Sequence, residues 1–274
     1  MENKGKLIDI ENIIKTKNPS LYKKLPGFVI GLLKKIICQD KINRLLTLYG
    51  HLSGVEFIDA VFKDLNVEII NHGLEKIDLT QRYVFTANHP LGGIDGLAVI
   101  SSVNRNFGKA KAVVNELLMN IDNLKEVFCG VNVYGHASQN NAEDIETLFS
   151  SKESVCVFPA GLCSRKIDGK ITDLPWKKNF IEKAVKYDIP IVPVFVEAYN
   201  SNFFYNTAAL RKKAGIKFNY ELILLPSEVF KFHDKNISLY FGEPVMPNTL
   251  RAIESKEDRV KYVREKTYGA KQSE

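Results

Sequence analysis

His89 and Asp95 stand six positions apart in Asn88-His89-Pro90-Leu91-Gly92-Gly93-Ile94-Asp95-Gly96, directly after the stretch Tyr83-Val84-Phe85-Thr86-Ala87, which has strand composition. Pro90 and the paired glycines force the chain to turn at once, so His89 falls at a strand end and Asp95 at the start of a helix. A pair placed this way can fold back to hydrogen-bonding reach, the carboxylate holding one imidazole nitrogen while the other accepts a proton. These are the base and orienting acid of a catalytic triad without its protein nucleophile, an arrangement suited to activating a hydroxyl that a substrate brings. Gly92 and Gly93 also leave backbone N–H groups unshielded near the reacting centre, where they could bind an anion. A histidine beside an aspartate is also often a structural hydrogen bond, so the pair alone leaves both readings open.

A second segment repeats the design. Val155-Cys156-Val157-Phe158 has strand composition and runs into Pro159-Ala160-Gly161-Leu162-Cys163-Ser164-Arg165-Lys166, a Pro and Gly turn ending in cations that could hold a phosphate or carboxylate. Around both segments, candidate helices alternate with short apolar strands, which predicts an α/β layer architecture. Helices are expected at 55–64, 94–104, 141–149, 175–187, 203–213 and 255–266, and strands at 67–71, 83–87, 111–114, 130–134, 154–158, 191–196 and 237–241. A division is expected near Gly50 to Gly54. It separates a basic, amphipathic helical region at 1–53 from a catalytic domain at 54–274.

The 274 residues are 45% hydrophobic and 26% charged, enough for a full core and unlike a disordered or collagenous chain. Four cysteines, at 38, 129, 156 and 163, include no CxxC pair, so no disulfide framework is expected. The apolar run Gly27 to Leu33 stops at Lys34-Lys35, well short of the ~20 residues of a membrane span. The start, Met-Glu-Asn-Lys, lacks the order of a signal peptide.

Net charge is +6, and residues 1–50 supply all of it, with ten Lys or Arg against four acids. A basic arm on a neutral body points to an anionic partner. Val29, Leu32, Leu33, Ile36 and Ile37 recur at helical spacing beside Lys34 and Lys35, which reads either as a helix resting on anionic lipid or as one packed on the core. Nucleic-acid binding lacks the interleaved aromatics and folded basic face it needs. The expectation is a peripheral protein at the cytoplasmic face of the inner membrane.

The two motif segments, with Asp173-Leu174-Pro175-Trp176-Lys177-Lys178-Asn179-Phe180 and the proline-bearing strand Ile189-Pro190-Ile191-Val192-Pro193-Val194, resemble the phospholipid and glycerol acyltransferase superfamily, which includes lysophosphatidic acid acyltransferases. Within it they look most like the hemolysin-type branch associated with aminolipids. The resemblance covers roughly residues 80 to 200. It implies a central mixed sheet flanked by helices, with O-acyl transfer from acyl-CoA or an acyl carrier protein thioester to a lyso-lipid. No cofactor and no metal are implied. His89 would be the general base and Asp95 its orienting acid. Gly92, Gly93, Phe158, Pro159, Gly161, Ser164, Arg165, Lys166 and Lys177 would bind substrate, Arg165 taking the acceptor's acidic group and the glycines offering oxyanion donors.

Three departures concern the acceptor. One residue more than usual separates His89 from Asp95, Ala160 stands where the family motif has glutamate, and Gly130 to His136 holds no arginine. A monoacylated amino acid lipid is therefore preferred to a glycerol phosphate. Acylglycerol-phosphate acylation and a non-catalytic lipid or carrier-binding module are the alternatives.

Other residues have plainer readings. Trp176 and Phe180 are expected to pack on the core. Asn200 to Tyr205 reads as the mouth of a pocket or as a loop with a helix cap. A Cys163 nucleophile and a zinc set of Cys129, His136, Cys156 and Cys163 are both disfavoured. No GxSxG elbow, P-loop or dinucleotide fingerprint is present.

Overall fold

The computed structural model describes residues 7–131 and 139–273. Seven strands form one mixed sheet: β1 (Glu68–His72), β2 (Val84–Ala87), β3 (Ala110–Asn115), β4 (Phe128–Val131), β5 (Ser154–Val157), β8 (Ile191–Glu197) and β9 (Asn236–Phe241), in the order β1-β9-β8-β2-β5-β3-β4. Two short strands, β6 (Arg165–Ile167) and β7 (Lys170–Thr172), make a separate antiparallel hairpin. Every sheet pairing is parallel except that between β8 and β9.

The helices are α1 (Ile10–Lys17), α2 (Pro19–Lys24), α3 (Gly27–Ile36), α4 (Gln39–Tyr49), α5 (Gly54–Asp64), α6 (Ile94–Phe107), α7 (Gln139–Ser150), α8 (Asn179–Lys186), α9 (Asn202–Lys213), α10 (Leu225–Lys231), α11 (Pro247–Ala252) and α12 (Lys256–Gly269). They cover both faces of the sheet, as adjacent residues of one strand show. Phe85 packs in a core with Ile58, Val99, Ile100 and Leu239, whereas Val84 packs in a second with Phe149, Val155, Ile181 and Ile191. Strands buried on both faces read as continuous apolar runs, and β2 and β5 are buried at every position.

The mixed sheet flanked by helices agrees with expectation. The helix expected at 175–187 begins only at Asn179, because the preceding residues are held against the second motif turn by a bond from the Lys177 N–H to the Pro159 carbonyl at 3.0 Å. The strand expected at 130–134 is Phe128–Val131, and the remaining expected positions, like His136, lie outside the described residues.

The described residues up to Gly50 hold four helices where one was expected. Leu45 and Leu46 of α4 join the core of Phe57 and Ile58. In α3, Ile30 turns inward while Phe28 and Leu32 are 76% and 54% exposed, so Leu32 lies on the outer side and not on the packed stripe. Among the described residues no helix is long and apolar enough to cross a membrane.

Topology positions the site. β8, β2 and β5 are neighbours and run parallel, so the loops after all three leave the same edge, where open α/β sheets bind ligands. Those loops carry Asn200, His89 and Phe158.

Candidate active site

The β2 loop is built around a buried carboxylate. Asp95 is fully buried in the first turn of α6, where a negative charge meets the positive end of the helix dipole. Its Oδ1 accepts the N–H groups of Gly93 (3.0 Å) and Gly96 (2.9 Å), and its Oδ2 accepts the Leu91 N–H (2.9 Å). Oδ2 also lies 3.0 Å from His89 Nδ1. The extra residue between His89 and Asp95 is thus taken up by a turn wrapped around the carboxylate. His89 Nδ1 is the donor to this acceptor-only group, leaving Nε2 as the basic nitrogen.

The electrostatics suit a proton acceptor. Burial disfavours the His89 imidazolium, but the charge and hydrogen bond of Asp95 outweigh it and hold the pKa above the ordinary 6.5, Asp173 adding to the rise and Arg165 opposing it. Burial acts upward on Asp95 too, yet His89 and the Leu91 and Gly93 N–H groups hold it below the ordinary carboxylate value. The imidazole is 16% exposed and tilts against Phe158 with ring centroids 4.5 Å apart.

The β5 loop is tied to the first by Asp173. Its Oδ1 accepts the His89 N–H (3.1 Å) and the Ser164 hydroxyl (2.5 Å), its Oδ2 accepts Trp176 Nε1–H (2.8 Å), and Ser164 N–H donates to the His89 carbonyl (2.7 Å). Trp176 is buried and meets Phe180 edge to face, as expected. From the third loop, Asn200 Nδ2 donates to the carbonyls of Pro90 and Leu91 at 3.2 and 3.3 Å, and Ser201 caps α9. Asn88 braces β8 by exchanging two hydrogen bonds with the Val196 backbone.

The expected ligand residues divide. His89, Asp95, Phe158 and Ser164 come together. Gly92 has φ +75°, and a Cβ there would lie 2.7 Å from Cys163 Cβ, so glycine is required for the two loops to touch. The N–H groups of Gly93 and Gly161 are already used, by Asp95 Oδ1 and the Phe158 carbonyl. Gly92 is the remaining candidate oxyanion donor of the three.

Arg165 is buried and turned inward, with Nη2 at 2.8 Å from Oε1 of the fully buried Glu221 and Nη1 on the Cys163 carbonyl. Its charge is already met from inside the protein. Lys166 is exposed on the β6–β7 hairpin. Lys177 Nζ lies 3.3 Å from where a Gly161 Cβ would be, over the motif turn. Burial pushes the Cys163 thiol up to about 11 against the opposing pull of Arg165, which keeps it protonated and unfit as a nucleophile.

Asp173 and Asn88 appear in the motif segments without an evident role, Asn200 falls in the loop read as a pocket mouth or a capped loop, and Glu221 carries no local signal at all. Asp173, the one acid between Asp168 and Glu182, was the readable clue.

A histidine held by a buried acid at the carboxyl edge of a mixed α/β sheet, with no protein nucleophile beside it among the described residues, is an arrangement suited to a transferase or hydrolase that activates an incoming hydroxyl. A family model described as "Acyltransferase" matches residues 12–274, and the chain belongs to this acyltransferase family. It is 38% identical over 263 residues to a lyso-glycine lipid O-acyltransferase of Bacteroides thetaiotaomicron, covering 96% of this chain and 97% of that protein. It is 36% identical to a protein of the same name from Phocaeicola vulgatus, covering 96% and 94%. The solved 1-acyl-sn-glycerophosphate acyltransferase PlsC of Thermotoga maritima aligns with a TM-score of 0.49 and 20% identity over 96% of this chain and 92% of its own, a likeness too slight to bear on function.

Proposed function

We propose that the chain acylates the hydroxyl of a lyso-lipid with an amino acid headgroup, a lyso-glycine lipid being the acceptor named for its relatives, and draws the acyl group from a thioester of acyl carrier protein or coenzyme A. The observation that carries this reading is the His89–Asp95 pair at 3.0 Å, which presents Nε2 as a base. Nε2 takes the acceptor's proton as its oxygen forms the new C–O bond at the thioester carbonyl. The C–S bond then breaks, and the leaving thiolate recovers the proton from His89. Asp95 supports the transient imidazolium through the same contact that raises its pKa.

The Gly92 N–H is the favoured donor to the tetrahedral oxyanion, a contribution of about 3 kcal/mol for such a group. Lys177, beside Gly161, is assigned to the acceptor's carboxylate, since Arg165 is engaged by Glu221. Phe158, Pro159 and Ser164 are assigned to the substrate side of the two motif loops, and Lys166 to positive charge at its margin. The basic helices at 1–53 are assigned to an anionic membrane surface, which puts the enzyme peripherally at the cytoplasmic face of the inner membrane.

The test is reconstitution of purified protein with lyso-glycine lipid or lysophosphatidic acid, each with acyl carrier protein or coenzyme A thioester, and products read by mass spectrometry. The proposal requires diacylated glycine lipid from one of the donors. Product from lysophosphatidic acid alone would overturn the acceptor assignment.

A further inference from the structure

The outer face of α9 and the turn that follows it are not explained by the site chemistry. Phe203, Leu210, Ile216 and Phe218 are 61%, 65%, 44% and 70% exposed. Phe203 and Leu210 are two helical turns apart and so share one face, while Phe204, Tyr205 and Ala208 fill the buried face. An ordered turn holds the others out. Ala214 N–H donates to the Leu210 carbonyl, Gly215 N–H to that of Lys212, and Ile216 N–H to that of Arg211, while the Arg211 guanidinium returns to the Ile216 carbonyl at 2.7 Å.

Charge completes the pattern. The segment from Ser201 to Tyr220 contains Arg211, Lys212, Lys213 and Lys217 and no acid. Arg211 lies 2.8 Å from buried Glu221, and the three lysines are exposed. Two aromatics and two aliphatics rimmed by uncompensated lysines match an anionic bilayer, whose headgroups meet ammonium groups while apolar side chains enter the acyl boundary.

This face lies close to both the basic arm and the site. Lys231 of α10 sits over the Phe203 ring, and Lys41 of α4 over Phe230 of α10. α10 in turn covers the glycine turn, Leu225 lying 3.1 Å and Val229 3.7 Å from the positions of Cβ atoms at Gly92 and Gly93. We propose that the outer face of α9 with the turn to Phe218 is a second bilayer-contact surface, distinct from the basic arm, that seats the catalytic loop beside the membrane from which a lyso-lipid enters. It rests on the reading of the chain as a peripheral lipid enzyme.

The experiment is sedimentation of the full chain with phosphatidylethanolamine vesicles containing phosphatidylglycerol, and with phosphatidylcholine vesicles. The combined variant Phe203→Ser, Leu210→Ser, Phe218→Ser is expected to bind the anionic vesicles about tenfold or more weakly, and to keep wild-type turnover on detergent-dispersed acceptor. Lys212→Gln, Lys213→Gln, Lys217→Gln should weaken binding to the anionic vesicles and leave the neutral ones unaffected. Undiminished binding by both variants beside a wild type that binds would overturn this surface alone, as would a serine variant that changes oligomeric state and not vesicle affinity. A wild type that stays in solution with both vesicles would contradict the peripheral reading and this surface with it.

Discussion

The Asp173 carboxylate holds the His89 backbone N–H at 3.1 Å from a position 84 residues away in sequence. His89 is therefore fixed from two sides, its ring by Asp95 and its main chain by an acid in the segment that follows the second motif. Asp173→Ala leaves three donors without their acceptor and should cost about 2–4 kcal/mol, read as a lowered urea midpoint. Because Asp173 also helps raise the His89 pKa, Asp173→Asn should move the acid limb of the kcat/KM profile to lower pH. A purely structural role would leave that limb in place.

With His89 as the proposed base, the neutral imidazole is the active form, and its pKa lies above the ordinary value. Activity should therefore rise with pH through an apparent pKa higher than 6.5 and be lost below it. Asp95→Asn removes the main cause of the rise, so the limb should move down. The rate should also fall about a hundredfold or more, because an amide can hold the wrong imidazole tautomer. Full pH profiles of both proteins with one acceptor check both statements.

Gly92→Ala sets a Cβ 2.7 Å from Cys163 Cβ at φ +75°. The expected loss is about 2–4 kcal/mol, with a larger fall in activity as the two motif loops part. Gly96→Ala would place its Cβ no closer than 3.7 Å to Phe158 and should leave stability unchanged or raised by up to about 1 kcal/mol, since it sits in a helix. Thermal unfolding of the two variants makes the comparison.

Removing Arg165 leaves buried Glu221 with Arg211, 2.8 Å from its other oxygen, as the remaining cation, so Arg165→Ala should destabilise by about 2–3 kcal/mol. Arg165→Met with Glu221→Gln removes that pair but leaves Arg211 facing an amide in place of a carboxylate, so it should recover part of that stability. With Lys177 assigned to the acceptor carboxylate, the double variant should retain the acceptor KM, and Lys177→Ala should raise it. A KM that stays high in the refolded double variant would return the acceptor to Arg165.

Local chemistry was legible where it was written in consecutive residues. The turn at Pro90-Leu91-Gly92-Gly93 and the apolar stretches around it announce a strand end, a glycine turn and a helix start, and the structure has all three at Val84–Ala87 and Ile94–Phe107. What lay hidden depends on contacts across the chain. Nothing near Glu221 marks it as the buried partner of Arg165, and Lys177, read as a substrate ligand, was also read inside a helix that its N–H bond to Pro159 keeps from starting before Asn179. The four helices of the first fifty residues were obscured for a related reason. Their apolar positions are divided between the core, as at Ile30 and Leu45, and solvent, as at Phe28 and Leu32, so no single stripe reports them.

The central claim is that His89 performs the chemistry, and the most direct test is the turnover of His89→Ala on lyso-glycine lipid with the acyl thioester the wild type prefers, in protein shown by circular dichroism and thermal unfolding to be folded. Asp95 keeps its three backbone N–H donors when His89 is removed, so the variant should fold. The account predicts a rate reduced by about a hundredfold to ten-thousandfold. A folded His89→Ala that forms diacylated product at a rate near that of the wild type would contradict it.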